Sequence, residues 1–128
     1  MNSGESHVPP GWPPVIPRLS VEEPHKMVQF LKEVFGARGE YTENQPSELR
    51  IGDSLIMVGG TLERMPTMSF LYVYVEDVDQ TYDKALSRGA NSIEEPEEMP
   101  YGDRRAMIRD SRGNYWQIAA HRGFSRDT

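Results

Sequence analysis

The same order of structural signals occurs twice along the chain, and this repetition most constrains the fold. Each half has a short strand signal, then an amphipathic helix, then further short strand signals. The first helix ends at Gly36-Ala37 and the second at Gly89-Ala90. A unit of this size cannot bury a sheet alone, so two βαβββ modules, 15–60 and 68–121, should pair into one domain. The predicted fold is α+β, with a curled mixed sheet around a cavity and the helices outside.

The boundaries of the elements follow from periodicity and turn signals. The first helix follows Pro24, which suits a first helical turn, and the second follows Glu76-Asp77. Both carry apolar residues at helical spacing on one face. The predicted strands are 15–20, 38–42, 47–51 and 54–58 in the first module, and 68–75, 91–95, 104–109 and 115–120 in the second.

Both ends of the chain differ from this body. Residues 1–14 form a proline-rich arm around Trp12, which we expect to be extended, and 122–128 form a short tail. The arm has no Lys or Arg and no apolar stretch, so no secretory signal is expected and the predicted location is cytoplasmic.

Composition excludes several function classes. No apolar run approaches the ~20 residues of a membrane-spanning helix. The chain has no cysteine, which excludes disulfides, thiolate metal sites and a cysteine nucleophile. Its formal net charge of −6 disfavours nucleic acid as a partner and weakly favours a cationic ligand.

Four short segments resemble the vicinal-oxygen-chelate superfamily, which includes glyoxalase I, extradiol dioxygenases and bleomycin-resistance proteins. They are Val75-Glu76-Asp77-Val78-Asp79, Arg88-Gly89-Ala90, Tyr101-Gly102-Asp103-Arg104 and 110–116. Tyr101–Arg104, Trp116 and Ala120-His121 look closest to the PhnB-like or bleomycin-resistance-like branch. The chain departs from that branch at Ser111-Arg112-Gly113-Asn114, where Pro-Phe-Gly-His is common. The resemblance implies a homodimer with the cavity near the subunit interface, and Trp12 would contact the partner subunit.

The resemblance also says where a metal would be bound. Metal-dependent members take four ligands from the first and last strands of each module. In this chain those positions are Ile16, Ile56, Phe70 and Gln117. Three hydrocarbon side chains and one amide do not hold a divalent metal, so we expect neither a metal nor another cofactor. A displaced metal site that uses Glu48 and His121 remains an alternative.

Strand alternation predicts which side chains face the cavity. Phe70, Tyr72 and Tyr74 share one face of their strand and would form an aromatic wall, unless they fill a core without a cavity. Glu48 and Arg50 could orient a ligand or pair with one another. No catalytic residue is predicted. The candidate ligand-binding residues are Arg18, Glu48, Arg50, Ile56, Phe70, Tyr72, Tyr74, Tyr101, Arg104, Met107, Tyr115, Gln117 and His121.

Three function classes are compatible with this pattern. The favoured one is a metal-free protein that binds an aromatic or cationic small molecule, for instance to sequester a drug. The second is a metal-dependent lyase, isomerase or transferase of the same superfamily with displaced ligands. The third is a protein-interaction or regulatory module in which the paired sheets are only a scaffold.

Overall fold

The computed structural model describes residues 7–61 and 66–121 and contains two helices and seven strands in those residues. The predicted tail 122–128 and the first six residues of the predicted arm lie outside the described residues. The elements in chain order are β1 (Arg18–Ser20), α1 (Pro24–Phe35), β2 (Ser47–Ile51), β3 (Ser54–Gly59), β4 (Phe70–Tyr74), α2 (Val78–Ser87), β5 (Asn91–Glu98), β6 (Asp103–Arg109) and β7 (Tyr115–His121).

The strands form two sheets that repeat one arrangement. Sheet A has the order β1-β3-β2, and sheet B has the order β4-β7-β6-β5. In both, the strand before the helix pairs in parallel with the last strand of its module, and the remaining pairs are antiparallel. The duplicated α+β fold is therefore confirmed. The sheet is divided in two rather than continuous, and an antiparallel bridge between Ser20 and Thr67 joins the two modules.

Local sequence explains where the helices begin and end. Pro24 opens α1, and Gly36 ends it in a left-handed conformation, φ 68°, with its N–H bonded to the carbonyl of Leu31. Asp77 caps α2 by accepting a hydrogen bond from the backbone N–H of Gln80. Both helix predictions are confirmed to within a residue or two at each end.

The predicted strand at 38–42 is wrong. Only an isolated antiparallel bridge between Arg38 and Arg50 forms there. Gly39 has φ 132°, outside the extended conformation of a strand, and its Cα lies directly against strand β2. A Cβ on Gly39 would lie 2.5 Å from the carbonyl oxygen of Glu48 and 2.8 Å from Cδ2 of Leu49. The close approach therefore requires glycine and ends the pairing after one residue.

We expect Gly39→Ala to lower the free energy of unfolding by about 2 kcal/mol more than Gly36→Ala does. Both glycines have a positive φ, but a Cβ on Gly36 would meet no atom within 4 Å. The difference between the variants therefore reports the steric clash with β2 together with the less favourable φ of 132° at Gly39, against 68° at Gly36. Urea unfolding of both variants measures it, and equal losses would show that β2 moves aside without cost.

One core joins the two modules. Helix α1 packs on sheet A, α2 packs on sheet B, and the helices also contact each other. The rings of Phe35 from α1 and Trp116 from β7 lie 4.8 Å apart between centroids, and Trp116 is 1% exposed. The helices thus lie on one side of the sheets and leave the other face of each sheet open. Neither helix in the described residues is long and apolar enough to span a membrane.

Candidate functional site

The open face of sheet B carries three large exposed aromatic side chains on β4. Phe70, Tyr72 and Tyr74 are 62%, 40% and 55% exposed, and we call these three the aromatic wall. Leu71 and Val73 alternate with them and pack against the core. The alternation predicted for this strand is therefore confirmed. The wall does not fill the core, because its rings face away from the helices.

A buried carboxylate holds two of these rings in place. Asp103, at the start of β6, is 0% exposed. Its Oδ2 accepts hydrogen bonds from the hydroxyls of Tyr72, at 2.7 Å, and Tyr74, at 2.9 Å. Its Oδ1 lies 2.9 Å from Nδ1 of His121, at the end of β7. Residues from β4 and β7 therefore converge on one carboxylate of β6, and we call these four residues the Asp103 cluster.

Sequence reasoning found three members of the Asp103 cluster and missed its centre. Tyr72, Tyr74 and His121 were predicted to face the cavity, whereas Asp103 was noted only as part of a family-like motif. Asp103 lies directly across from His121 in the β6–β7 pairing, but that register is a property of the assembled sheet and no local sequence signal identified Asp103.

The cluster changes the acidity of one tyrosine. Partial burial of the phenol, followed by its hydrogen bonds to Asp103 and Tyr101, raises the pKa of Tyr72. The tyrosinate would lose solvent and would lie beside a carboxylate, so the neutral phenol is favoured.

This pKa shift predicts a loss of stability at high pH. In the unfolded chain tyrosine has a pKa near 10. Above that pH the folded state holds the Tyr72 proton more tightly, so stability present below about pH 10 is lost as the pH rises. Urea unfolding between about pH 9 and pH 11 should show a steeper decline for wild type than for Tyr72→Phe. Tyr41→Phe, at an exposed tyrosine outside the cluster, is the control, and parallel curves for all three proteins would contradict the prediction.

Other predicted residues surround the wall on the same face. Gln117 and Met107 lie in one row with Tyr72, and Tyr115 lies beside Phe70 with ring centroids 6.5 Å apart. Tyr101 accepts a hydrogen bond from Nη1 of Arg105, and Nη2 of the same arginine binds Glu94. The structure therefore brings together most of the predicted site residues of the second module.

A cleft of about 630 Å³ opens beside the wall, where the two sheets separate. One side is formed by 13–17 and the β2–β3 hairpin, and the other by β4 with Trp116. Tyr72 and Tyr74 belong to both the aromatic wall and the cleft lining. The remaining lining is mainly apolar, a composition typical of small-molecule sites.

Two face assignments made from the sequence are wrong. Arg104 lies on the helix side of β6, where it forms ion pairs with Asp79 and Glu98, so it does not face the wall. Ile56 pairs with Leu49 and belongs to the core with Val58, rather than to the open face of sheet A. Ile56 nevertheless reaches the cleft from the core side.

The predicted polar residues of the first module lie on sheet A, apart from the Asp103 cluster. Arg18 and Glu48 both pair with Met57, one on each side, and so share its face of the sheet. Arg50 donates a hydrogen bond from Nη2 to the carbonyl of Gly11 and forms no ion pair with Glu48. The predicted pairing of Glu48 with Arg50 is therefore wrong, and a role of these two residues in orienting a ligand stays a prediction.

The arm therefore lies against its own chain at Gly11, and Trp12 beside it is half-buried. The backbone N–H of Trp12 bonds to the carbonyl of Pro9, which makes a turn. Contact of Trp12 with a partner subunit stays a prediction.

The family-implied metal positions do not fit a metal by the chemistry of their donors. Ile56 belongs to the core, Phe70 to the aromatic wall, and Ile16 is a hydrocarbon, so Gln117 is the one oxygen donor of the four. Glu48 and His121, the alternative pair, lie on different sheets. Within 7–61 and 66–121, no three His, Asp or Glu side chains are grouped so that they could hold a metal ion.

Comparison with known proteins places this geometry in a family. TioX from Micromonospora sp. ML1 is 25% identical, with a TM-score of 0.72 over 84% of this chain and 97% of TioX. A glyoxalase/bleomycin resistance protein/dioxygenase family enzyme from Burkholderia phytofirmans PsJN is 20% identical, with a TM-score of 0.71 over 83% of this chain and 96% of that one. A gene product of Arabidopsis thaliana is 23% identical, with a TM-score of 0.69 over 84% and 98% of the two chains.

A search of curated proteins gives no match. The profile of the glyoxalase/bleomycin resistance protein/dioxygenase superfamily matches residues 15–118, which include all of both sheets except the last residues of β7. This chain therefore belongs to the glyoxalase/bleomycin resistance protein/dioxygenase superfamily.

Proposed function

We propose that this protein binds an aromatic or cationic small molecule without a metal, between the aromatic wall and the cleft beside it. The observation that carries the proposal is the pair Tyr72 and Tyr74. Both rings are exposed, both line the cleft, and both are held by a buried carboxylate. Rigid, exposed aromatic rings gain much from a stacked ligand and lose little side-chain entropy on binding.

Size and charge support the same proposal. A cleft of about 630 Å³ is within the usual range for small-molecule sites, about 300–1,000 Å³. The formal net charge of −6 favours the approach of a cation, and tyrosine faces attract cations through their ring electrons. Sequestration of a drug-like molecule is the role that we propose for such binding.

We also propose a homodimer in the cytoplasm, within the PhnB-like or bleomycin-resistance-like branch, with neither nucleic acid nor membrane as a partner. The branch is supported by Tyr101–Arg104 together with Trp116, and the dimer by the family resemblance, with the part of Trp12 that its own chain leaves exposed as the proposed contact.

Binding to the wall is tested with Tyr74→Ala. Titration calorimetry with ethidium, a flat aromatic cation, should show affinity for wild type that falls by on the order of 1–3 kcal/mol in the variant. Tyr41→Ala is the matched control, because Tyr41 is also an exposed tyrosine but lies on the loop between α1 and β2.

Two results would overturn the proposal. One is the absence of binding by ethidium and by its uncharged aromatic counterpart phenanthridine. The other is equal loss of affinity in Tyr74→Ala and Tyr41→Ala, which would mean that the ligand contacts exposed tyrosines non-specifically.

A further inference from the structure

The pairing of His121 with Asp103 fixes the chemistry of the imidazole ring. Nδ1 of His121 lies 2.9 Å from Oδ1 of Asp103, and the other oxygen of that carboxylate accepts two tyrosine hydroxyls. The two hydroxyl donors on Oδ2 stabilise the ionised form of this carboxylate. An ionised carboxylate only accepts hydrogen bonds, so in the neutral ring Nδ1 carries the proton.

The second ring nitrogen is then an acceptor at the edge of the wall. With the proton on Nδ1, Nε2 has a lone pair. The His121 side chain is 41% exposed, and no polar group in 7–61 or 66–121 forms a hydrogen bond with Nε2. His121 and Tyr74 contact the two oxygens of one carboxylate, so we expect a ring stacked on Tyr74 to lie within reach of Nε2.

We infer that His121 selects ligands which carry an N–H or O–H donor on the edge of an aromatic ring. The ring contacts Tyr74, and the donor binds Nε2, while Asp103 acts as a positioning residue that fixes the tautomer. This inference rests on the proposed function and adds the chemical class of the ligand. It separates ligands with a ring-edge donor from ligands of equal shape without one.

The tautomer is tested directly by nitrogen-15 NMR of the imidazole nitrogens. In wild type the protonated nitrogen of neutral His121 should be Nδ1. Asp103→Asn should reverse this, because the amide oxygen remains with the two tyrosines and the amide N–H₂ then donates to Nδ1. His7 and His25 are internal references in the same spectra. A proton on Nε2 in wild type would overturn the inference, as would an unchanged tautomer in the variant.

Selectivity is tested with indole and 1-methylindole, which share a ring system but differ in the N–H donor. Wild type should bind indole about tenfold more tightly than 1-methylindole, the effect of about one hydrogen bond. His121→Phe keeps an aromatic ring without the acceptor, so the two affinities should become equal. His25→Phe, at an exposed histidine of α1, is the control and should keep the tenfold preference.

The outcomes distinguish this inference from the proposed function. If both probes bind equally to wild type and both are weakened by Tyr74→Ala, the proposed function stands and the role of His121 is wrong. If neither probe nor ethidium binds to wild type, both are wrong. A preference for indole that persists in His121→Phe would place the acceptor elsewhere and overturn the inference alone.

Discussion

Asp110→Ala is expected to lower the free energy of unfolding by about 3–5 kcal/mol, the range for removing one partner of a buried charged network. Asp110 is 1% exposed, just after β6. Its Oδ2 accepts a hydrogen bond from the indole N–H of Trp116 at 2.8 Å. Its Oδ1 accepts the backbone N–H groups of Arg112 and Asn114 at 2.8 and 3.1 Å. Alanine would leave the buried indole and amide donors without this acceptor.

The structural effect of Asp110→Ala should extend beyond the turn, because Trp116 lies in the core that both modules share. Its ring packs beside Phe35 of α1, and Asn114 accepts a hydrogen bond from the backbone of Ser69, directly before β4. The turn after Asp110 thus positions the aromatic wall as well as the core. We expect the near-ultraviolet circular dichroism of tryptophan to weaken in the variant.

Two variants make this prediction sharp. Asp110→Asn keeps the acceptor for the backbone but places an amide N–H₂ against the indole N–H. Its free energy of unfolding should therefore lie between those of wild type and Asp110→Ala. Asp53→Ala, at the exposed tip of the β2–β3 hairpin, should change stability little. Urea unfolding measures the stability of all three variants. A decrease in the free energy of unfolding of less than about 1 kcal/mol for Asp110→Ala would show that the hydrogen bonds of Asp110 do not stabilise the turn as expected.

The helices and strands could be predicted because their signals are local. Gly36 ends α1 and Asp77 caps α2 through contacts within a few residues, so single positions carry the information. The alternation on β4 is local for the same reason. Gly39 shows the limit of such signals. Its conformation depends on close packing against β2, about ten residues later along the chain, which no local pattern reveals.

The incorrect assignment of Ile56 to the open face could have been avoided with the sequence alone. The Gly52-Asp53 turn places Ile51 opposite Ser54, so Leu49 must lie opposite Ile56 and share its face. For Arg104 the sequence alone could not show on which face of β6 the side chain lies. Its face depends on the register between β6 and β7, which their longer connection leaves open.

The two buried carboxylates show why the site itself was only partly predictable. Asp103 and Asp110 stand at opposite ends of β6, and nothing in their local pattern distinguishes them from exposed aspartates. Asp103 acquires its role from β4, about thirty residues earlier in the chain, and from β7. Only the assembled sheet brings these partners together.

Asp103→Ala is therefore expected to weaken both the fold and the proposed site. The free energy of unfolding should fall by about 2–4 kcal/mol, because three hydrogen bonds to one buried charge are lost while the exposed rings regain water. Without the carboxylate, the Tyr72 and Tyr74 rings lose their fixed orientation. Affinity for ethidium should then fall by about tenfold.

A double variant, Tyr72→Phe with Tyr74→Phe, separates what the hydroxyls and the carboxylate each contribute to stability and to ethidium binding. It keeps both rings and the charge but removes the two donors to Oδ2. Because an ionised Asp103 would then keep only part of its hydrogen bonding, we expect this double variant to be destabilised as well. Its rings remain packed beside the cleft, so it should retain more of its affinity for ethidium than Asp103→Ala. Unfolding in urea and calorimetric titration of both variants measure the two effects. If Asp103→Ala kept wild-type affinity, the orientation of the wall would not depend on the carboxylate, and the binding site would have to lie elsewhere in the cleft.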